Sequence, residues 1–288
     1  MGLRFGLVAL LGLLPLWAHA LADWPNPSVP AVLQSEVRGI EFMRELNAPE
    51  AIKELEQAVQ DGSTTALYRL AQIYFEGMGE QWAVRERAIE YLRQAVAKNQ
   101  VESMFVLALV GSEGEQRALT LLERAAGLGM EAHVFKIGLQ SMETRQPFSL
   151  ATGIKLMEAA ARAGFDPAMA VLGRFYIEGN EFHGVKADVK QAEMWLNRAI
   201  RAGYVSSIAD LLRIIMPRAE TYPEDRYRWL YLCHALKCSY LTDNPDVGGR
   251  VLPLLVELEA QMTPDMLAQT RVEINSLFKR IQRANKTE

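Results

Sequence analysis

One helix pattern recurs five times in this chain of 288 residues, and that recurrence restricts its possible folds more than any other feature. In segments starting at Ala51, Ala88, Ala118, Gly153 and Ala192, the residue four positions on is Leu55, Leu92, Leu122, Met157 or Leu196. Seven positions on stands Ala58, Ala95, Ala125, Ala160 or Ala199, and eleven positions on stands Gly62, Asn99, Gly129, Gly164 or Gly203. The starts lie 37, 30, 35 and 39 residues apart, a period that points to a stacked repeat array. The closing Gly or Asn tolerates the left-handed conformation that ends a helix. A second helix follows each time, with Leu70, Leu107, Ile137, Leu172 or Leu211 nineteen residues after the start, then Ala71, Ala108, Gly138, Gly173 or Leu212. A small residue beside a large one lets two helix axes approach closely. The unit is a helical hairpin that must bury its apolar stripe against the next, and the alternating runs a sheet requires are absent.

The flanks read differently. Residues 1–22 have the pattern of a secretory signal peptide: Arg4, an apolar run from Leu7 to Trp17, then Ala18-His19-Ala20 and Ala20-Leu21-Ala22 as small-x-small cleavage sites. No Cys follows, so export to a periplasm without lipid attachment is expected, with no stable membrane insertion after cleavage. Residues 23–49 form an extended leader rich in proline and a capping helix over Glu36 to Leu46. Residues 50–217 form the array, and residues 218–288 a helical cap. In that cap Tyr222–Tyr240 and Leu252–Met262 are expected as helices, Asp243–Gly249 as a loop, and Thr263-Pro264-Asp265 as the start of a last helix. The two cysteines, Cys233 and Cys238, would lie about 8.6 Å apart on a straight helix, beyond the ~7 Å that a disulfide spans. A bond between them requires the helix to break. An exporting compartment favours one, and both states stay open at this level.

The net charge of −4 offers no clustered lysine and arginine for nucleic acid. Among His133, His183 and His234 no pair has the spacing of a metal motif. Glu178, Glu181, His183 and Asp188 crowd one loop without diagnostic spacing, and Cys233-His234 with Cys238 lacks a fourth zinc ligand. No nucleophile elbow, P-loop or dinucleotide fingerprint occurs, so neither catalytic residues, nor a cofactor, nor a metal is expected.

One unit carries a sharper signature: Leu172-Gly173-x-x-Tyr176-x-x-Gly179, then Gly184-Val185-x-x-Asp188-x-x-x-Ala192-x-x-Trp195, Ala199 and Gly203. It resembles the Sel1-like repeat family. Leu70-Ala71-x-x-Tyr74-x-x-Gly77 matches more loosely, and the units between lack the Tyr and the loop glycines. The resemblance implies an all-α, right-handed α-solenoid of Sel1-like, TPR-like hairpins with helical caps. It further implies a non-enzymatic adaptor or inhibitor that binds a protein. Exported members of the family include immunity proteins against type VI secretion lipase toxins, and envelope-assembly scaffolds. A cell-wall glycan-binding or processing protein is the rival from another class, with Trp82 its only suggestive residue. By analogy with related repeats, the columns around the second-helix Leu face a groove. Tyr68, Gln72, Phe75, Phe105, Leu109, Phe135, Leu139, Arg174 and Arg213 are therefore the candidate partner-binding residues, with packing between repeats the competing role for the aromatic ones.

Overall fold

The computed structural model describes residues 34–78, 82–111, 114–179, 186–218, 222–238 and 250–284. Every regular element among them is a helix, apart from a bridge residue at Met78. Residues 1–22, the loop positions Glu181 and His183, and the expected loop Asp243–Gly249 lie outside them. By internal contacts the chain forms two compact units, one up to Tyr91 and one from Leu92 onward.

The first unit contains α1 (Gln34–Arg44), α2 (Ala48–Gln60), α3 (Thr65–Glu76) and the start of α4 (Arg85–Ala97). Pro49 stands in the first turn of α2, where its missing N–H is of no consequence. The core comprises Ala48, Ala51, Leu55, Ala58, Ala66, Leu70 and Ile73. The capping helix α1 approaches α2 so closely that a Cβ on Gly39 would stand 2.7 Å from Leu55 Cγ. Tyr91 Oη donates to Glu56 at 3.1 Å and its ring stacks on Tyr74 at 5.7 Å.

The second unit continues with α5 (Val101–Val110), α6 (Glu115–Ala125), a π turn (Ala126–Met130), α7 (Glu131–Thr144), α8 (Leu150–Arg162), α9 (Asp166–Glu178), α10 (Val189–Ala202) and α11 (Ser207–Ile215). It ends with α12 (Pro223–Leu236), α13 (Val251–Glu259) and α14 (Pro264–Ala284). The repeated pattern therefore lies on α2, α4, α6, α8 and α10, and their partner helices are α3, α5, α7, α9 and α11.

The register holds throughout. The five Leu or Met residues, the five Ala residues after them and the five partner-helix residues from Leu70 to Leu211 are all buried. The five closing residues have φ of 99° (Gly62), 65° (Asn99), 101° (Gly129), 105° (Gly164) and 110° (Gly203), the left-handed region that releases the chain into the second helix. Glycine is demanded for closeness on α7 and α9. A Cβ on Gly138 would meet the Met157 nitrogen at 3.0 Å, and one on Gly173 would meet Leu196 Cδ2 at 2.5 Å. Each of these partner helices thus presses on the first helix of the following repeat.

The signature residues have distinct structural tasks. Tyr74 and Tyr176 occupy the same register, and their carbonyls accept the N–H groups of Val84 at 2.7 Å and Asp188 at 2.9 Å. The Asp188 side chain then caps α10 by accepting the Gln191 N–H at 3.1 Å. Tyr176 Oη donates to Glu158 at 2.9 Å, and burial, aided by that carboxylate, pushes the phenol up to about 12.

The C-terminal cap closes the second unit. One apolar cluster joins Leu196, Ile208, Leu211 and Leu212 to Tyr227, Leu230, Leu255, Leu258, Ile274 and Ile281. Thr263 caps α14 by accepting the Met266 N–H at 3.2 Å. The helix expected over Tyr222–Tyr240 stops at Leu236, because Lys237 turns left-handed at φ 54°. That break brings the Cα atoms of Cys233 and Cys238 to 4.9 Å, and the two form a disulfide.

Candidate protein-binding surface

On the first unit, α3 carries Tyr68, Gln72 and Phe75. Tyr68 is only 4% exposed, so its ring belongs to the interior and not to an open surface. Gln72 is half-buried and accepts from Arg69 Nη1 at 3.2 Å. Phe75 is half-buried, with the Arg85 guanidinium 5.8 Å from its ring centre. Burial raises the pKa of Glu76 beside them. Trp82 stands 85% exposed.

On the second unit the candidate residues fall on four consecutive partner helices. Phe105 on α5 is half-buried and meets His133 of α7 edge-on, with ring centres 5.8 Å apart. Phe135 on α7 is half-buried and packs on Phe165, which precedes α9, at 5.1 Å. Leu109 and Leu139 stand one turn further along α5 and α7, also half-buried, each seated on the apolar cluster beneath it. All four are partly withdrawn from water yet keep a face toward it. In the same column, two residues before the register Leu, Ala170 and Ala209 are buried and offer nothing to a partner.

The charged end of the row is built differently. Arg174 of α9 and Arg213 of α11 converge on Asp210, with Nε–Oδ2 at 3.9 Å and Nη1–Oδ1 at 2.8 Å. The arginine side chains are 52% and 47% exposed, whereas that of Asp210 is 11% exposed. Burial raises the Asp210 pKa, the two guanidiniums oppose that rise, and Glu178 adds to it. The columns named both arginines, but they did not reveal the buried acid on which the two converge. The i, i+3 spacing of Asp210 and Arg213 was the available signal. Among the described residues no group of three or more His, Cys, Asp or Glu is placed to hold a metal ion. No helix there is long and apolar enough to cross a membrane.

Three segments of the chain match the Sel1 repeat: residues 64–100, 102–130 and 166–204. They open with α3, α5 and α9, and the middle one falls on a unit without the signature Tyr. No curated protein matches the chain. Among solved structures, a protective antigen of uropathogenic Escherichia coli with an SLR fold is 16% identical, at a TM-score of 0.38 over 88% of this chain and 56% of its own. The chain thus spans little more than half the length of that protein. A Sel1 repeat protein from Oxalobacter formigenes is 16% identical, at a TM-score of 0.39 over 82% and 74%. An immunity protein from Pseudomonas aeruginosa is 16% identical, at a TM-score of 0.30 over 81% and 85%. These values are too low to map one surface onto another.

Proposed function

We propose that this Sel1-repeat protein acts by holding a protein partner, with the half-exposed side chains of α5 and α7 as its apolar anchors. The observation that carries this reading is the placement of Phe105, Leu109, Phe135 and Leu139 at matching register on two helices that touch. Aromatic and arginine side chains are the usual energetic centres of interfaces. These rings are already fixed by the core beneath them, so a docking partner loses little rotamer freedom in using them. Arg174 and Arg213 add charged contacts further along the row.

The finer reading is an exported immunity protein whose partner is a secreted toxin. It is supported by the resemblance of the Leu172–Gly203 signature to a family that includes such proteins, and by the export pattern of residues 1–22.

A photo-crosslinking amino acid placed at Leu109 or Leu139 in the producing cell tests the binding surface. The expected result is a crosslink to one discrete protein, lost when Phe105 and Phe135 are both replaced by Ala in a chain that circular dichroism shows to be folded. Equal crosslinking from Arg124, an exposed position on α6, would remove the α5–α7 surface from consideration. For the immunity reading, the same double variant should stop protecting cells from the toxin while remaining exported.

A further inference from the structure

A cleft of about 920 Å³ in the second unit uses none of the candidate partner-binding residues. It opens between α10, α11 and the cap helices α12 and α14. Its floor includes Leu211, Ile215, Trp229 and Leu277, and its rim Met194, Tyr222 and Val272. Tyr222 and Val272 are each 69% exposed, so apolar surface stands open at the mouth of the cleft.

The charges around this cleft are unequal. Five arginines line it, Arg198, Arg201, Arg218, Arg228 and Arg280, against Glu193, Asp225 and Glu273. The three acids are already engaged: Glu193 pairs with Arg218, and Arg228 bridges Asp225 at 2.6 Å and Glu273 at 2.5 Å. Arg198 lies over the Trp195 ring at 5.1 Å. Arg201 and Arg280 are exposed and, among the described residues, have no side-chain partner. A chain of net charge −4 thus concentrates a local positive excess beside exposed apolar groups.

We propose that this cleft is a second docking site, and that it takes an acidic segment of a protein partner, with apolar side chains on the floor and carboxylates on Arg198, Arg201 and Arg280. Met, Tyr, Trp and Arg together are the composition enriched at protein interfaces. Guanidinium groups suit carboxylates because they can bind them in bidentate fashion. The apolar floor weighs against a polyphosphate, which has no apolar groups to set against Leu211, Ile215, Trp229 and Leu277. The inference rests on the protein-binding reading of the chain but not on the α5–α7 surface.

The test uses the purified full chain and a short fluorescein-labelled peptide alternating Glu with Leu and Trp, followed by fluorescence anisotropy. A Lys-for-Glu version of the peptide is the control. Inorganic phosphate and phosphatidylglycerol vesicles serve as competing probes. The acidic peptide should bind, weaken with added salt, and lose at least about tenfold in affinity with Arg201→Glu and Arg280→Glu combined, as expected for contacts that depend on charge. Both positions are exposed, so the fold should survive, and circular dichroism checks that. Arg124→Glu, at an exposed position on α6 outside both surfaces, should leave peptide binding unchanged. Equal binding of both peptides, no binding of the acidic one, or binding of phosphate or vesicles in its place would overturn the proposal. If the peptide binds as expected while crosslinking from Leu109 and Leu139 fails, only the α5–α7 surface is refuted.

Discussion

At the scale of single residues, the array depends on positions where no side chain fits. Gly173 lies inside α9, where Ala would ordinarily be better by about 0.5–1 kcal/mol because it restricts the unfolded chain and favours helix. Here the added methyl would stand 2.5 Å from Leu196 Cδ2 and 2.6 Å from Cγ, the latter a branch point with little freedom to move. Overpacking of this kind costs about 1–3 kcal/mol, so the clash outweighs the propensity. Gly173→Ala should therefore lower the denaturant midpoint. Gly127 is a fitting control, since its Cβ would meet nothing within 4 Å, and Gly127→Ala should leave the midpoint equal or slightly higher. A Gly173→Ala protein as stable as the unaltered chain would show that α9 and α10 can separate without loss.

At the scale of elements, successive repeats are tied at their helix starts. Glu115 opens α6 and accepts three hydrogen bonds from the start of α8: the Ser149 N–H at 2.9 Å, Ser149 Oγ at 2.7 Å and Thr152 Oγ1 at 2.7 Å. Ser149 in turn caps α8 by accepting the Thr152 N–H at 3.3 Å. A carboxylate between two helix N-termini also opposes the positive ends of their dipoles. The bonds from Ser149 and Thr152 hold the Glu115 carboxyl below its ordinary value of 4.5. Its contribution is therefore present above that value and is lost as pH falls through the lower folded value. Glu115→Gln should be less stable than the unaltered chain at pH 7, and the gap should narrow as pH falls well below 4.5 and the unaltered carboxyl takes up its proton. A gap independent of pH would mean that the side chain acts through packing and not through its charge.

At the scale of the whole molecule, the last repeat depends on the C-terminal helices that cover it. Leu211 and Leu212 of α11 share one apolar cluster with Ile274 and Ile281 of α14, all buried. Repeat arrays require a terminal element with a polar outer face, because the end unit otherwise leaves its stripe in water. A chain ending at Met262 should melt at a lower temperature and bind a hydrophobic dye such as ANS. The same truncation removes Arg280 and one wall of the cleft, so the acidic peptide should no longer bind it. Unchanged melting would show that α12 and α13 suffice as the cap.

The sequence by itself determined the local plan: where each repeated helix ends, which residues share a stripe, and which unit carries the signature. Those features rest on contacts between residues a few positions apart, such as the left-handed Gly203 and the Asp188 cap, which depend little on distant chain. Burial was decided by the tertiary structure. Tyr68 and Phe105 hold the same register position, yet one is interior and the other keeps an open face, because each lies against different neighbours. Asp210 became the hidden acid between two arginines only when α9 and α11 met. The cysteine pair could close only because the chain turns at Lys237. The arginine-lined cleft was invisible in one dimension, since Arg201 and Arg280 come together only when α14 folds back toward α10. A periodic pattern records what every repeat has in common, whereas a binding site is made where neighbouring elements differ.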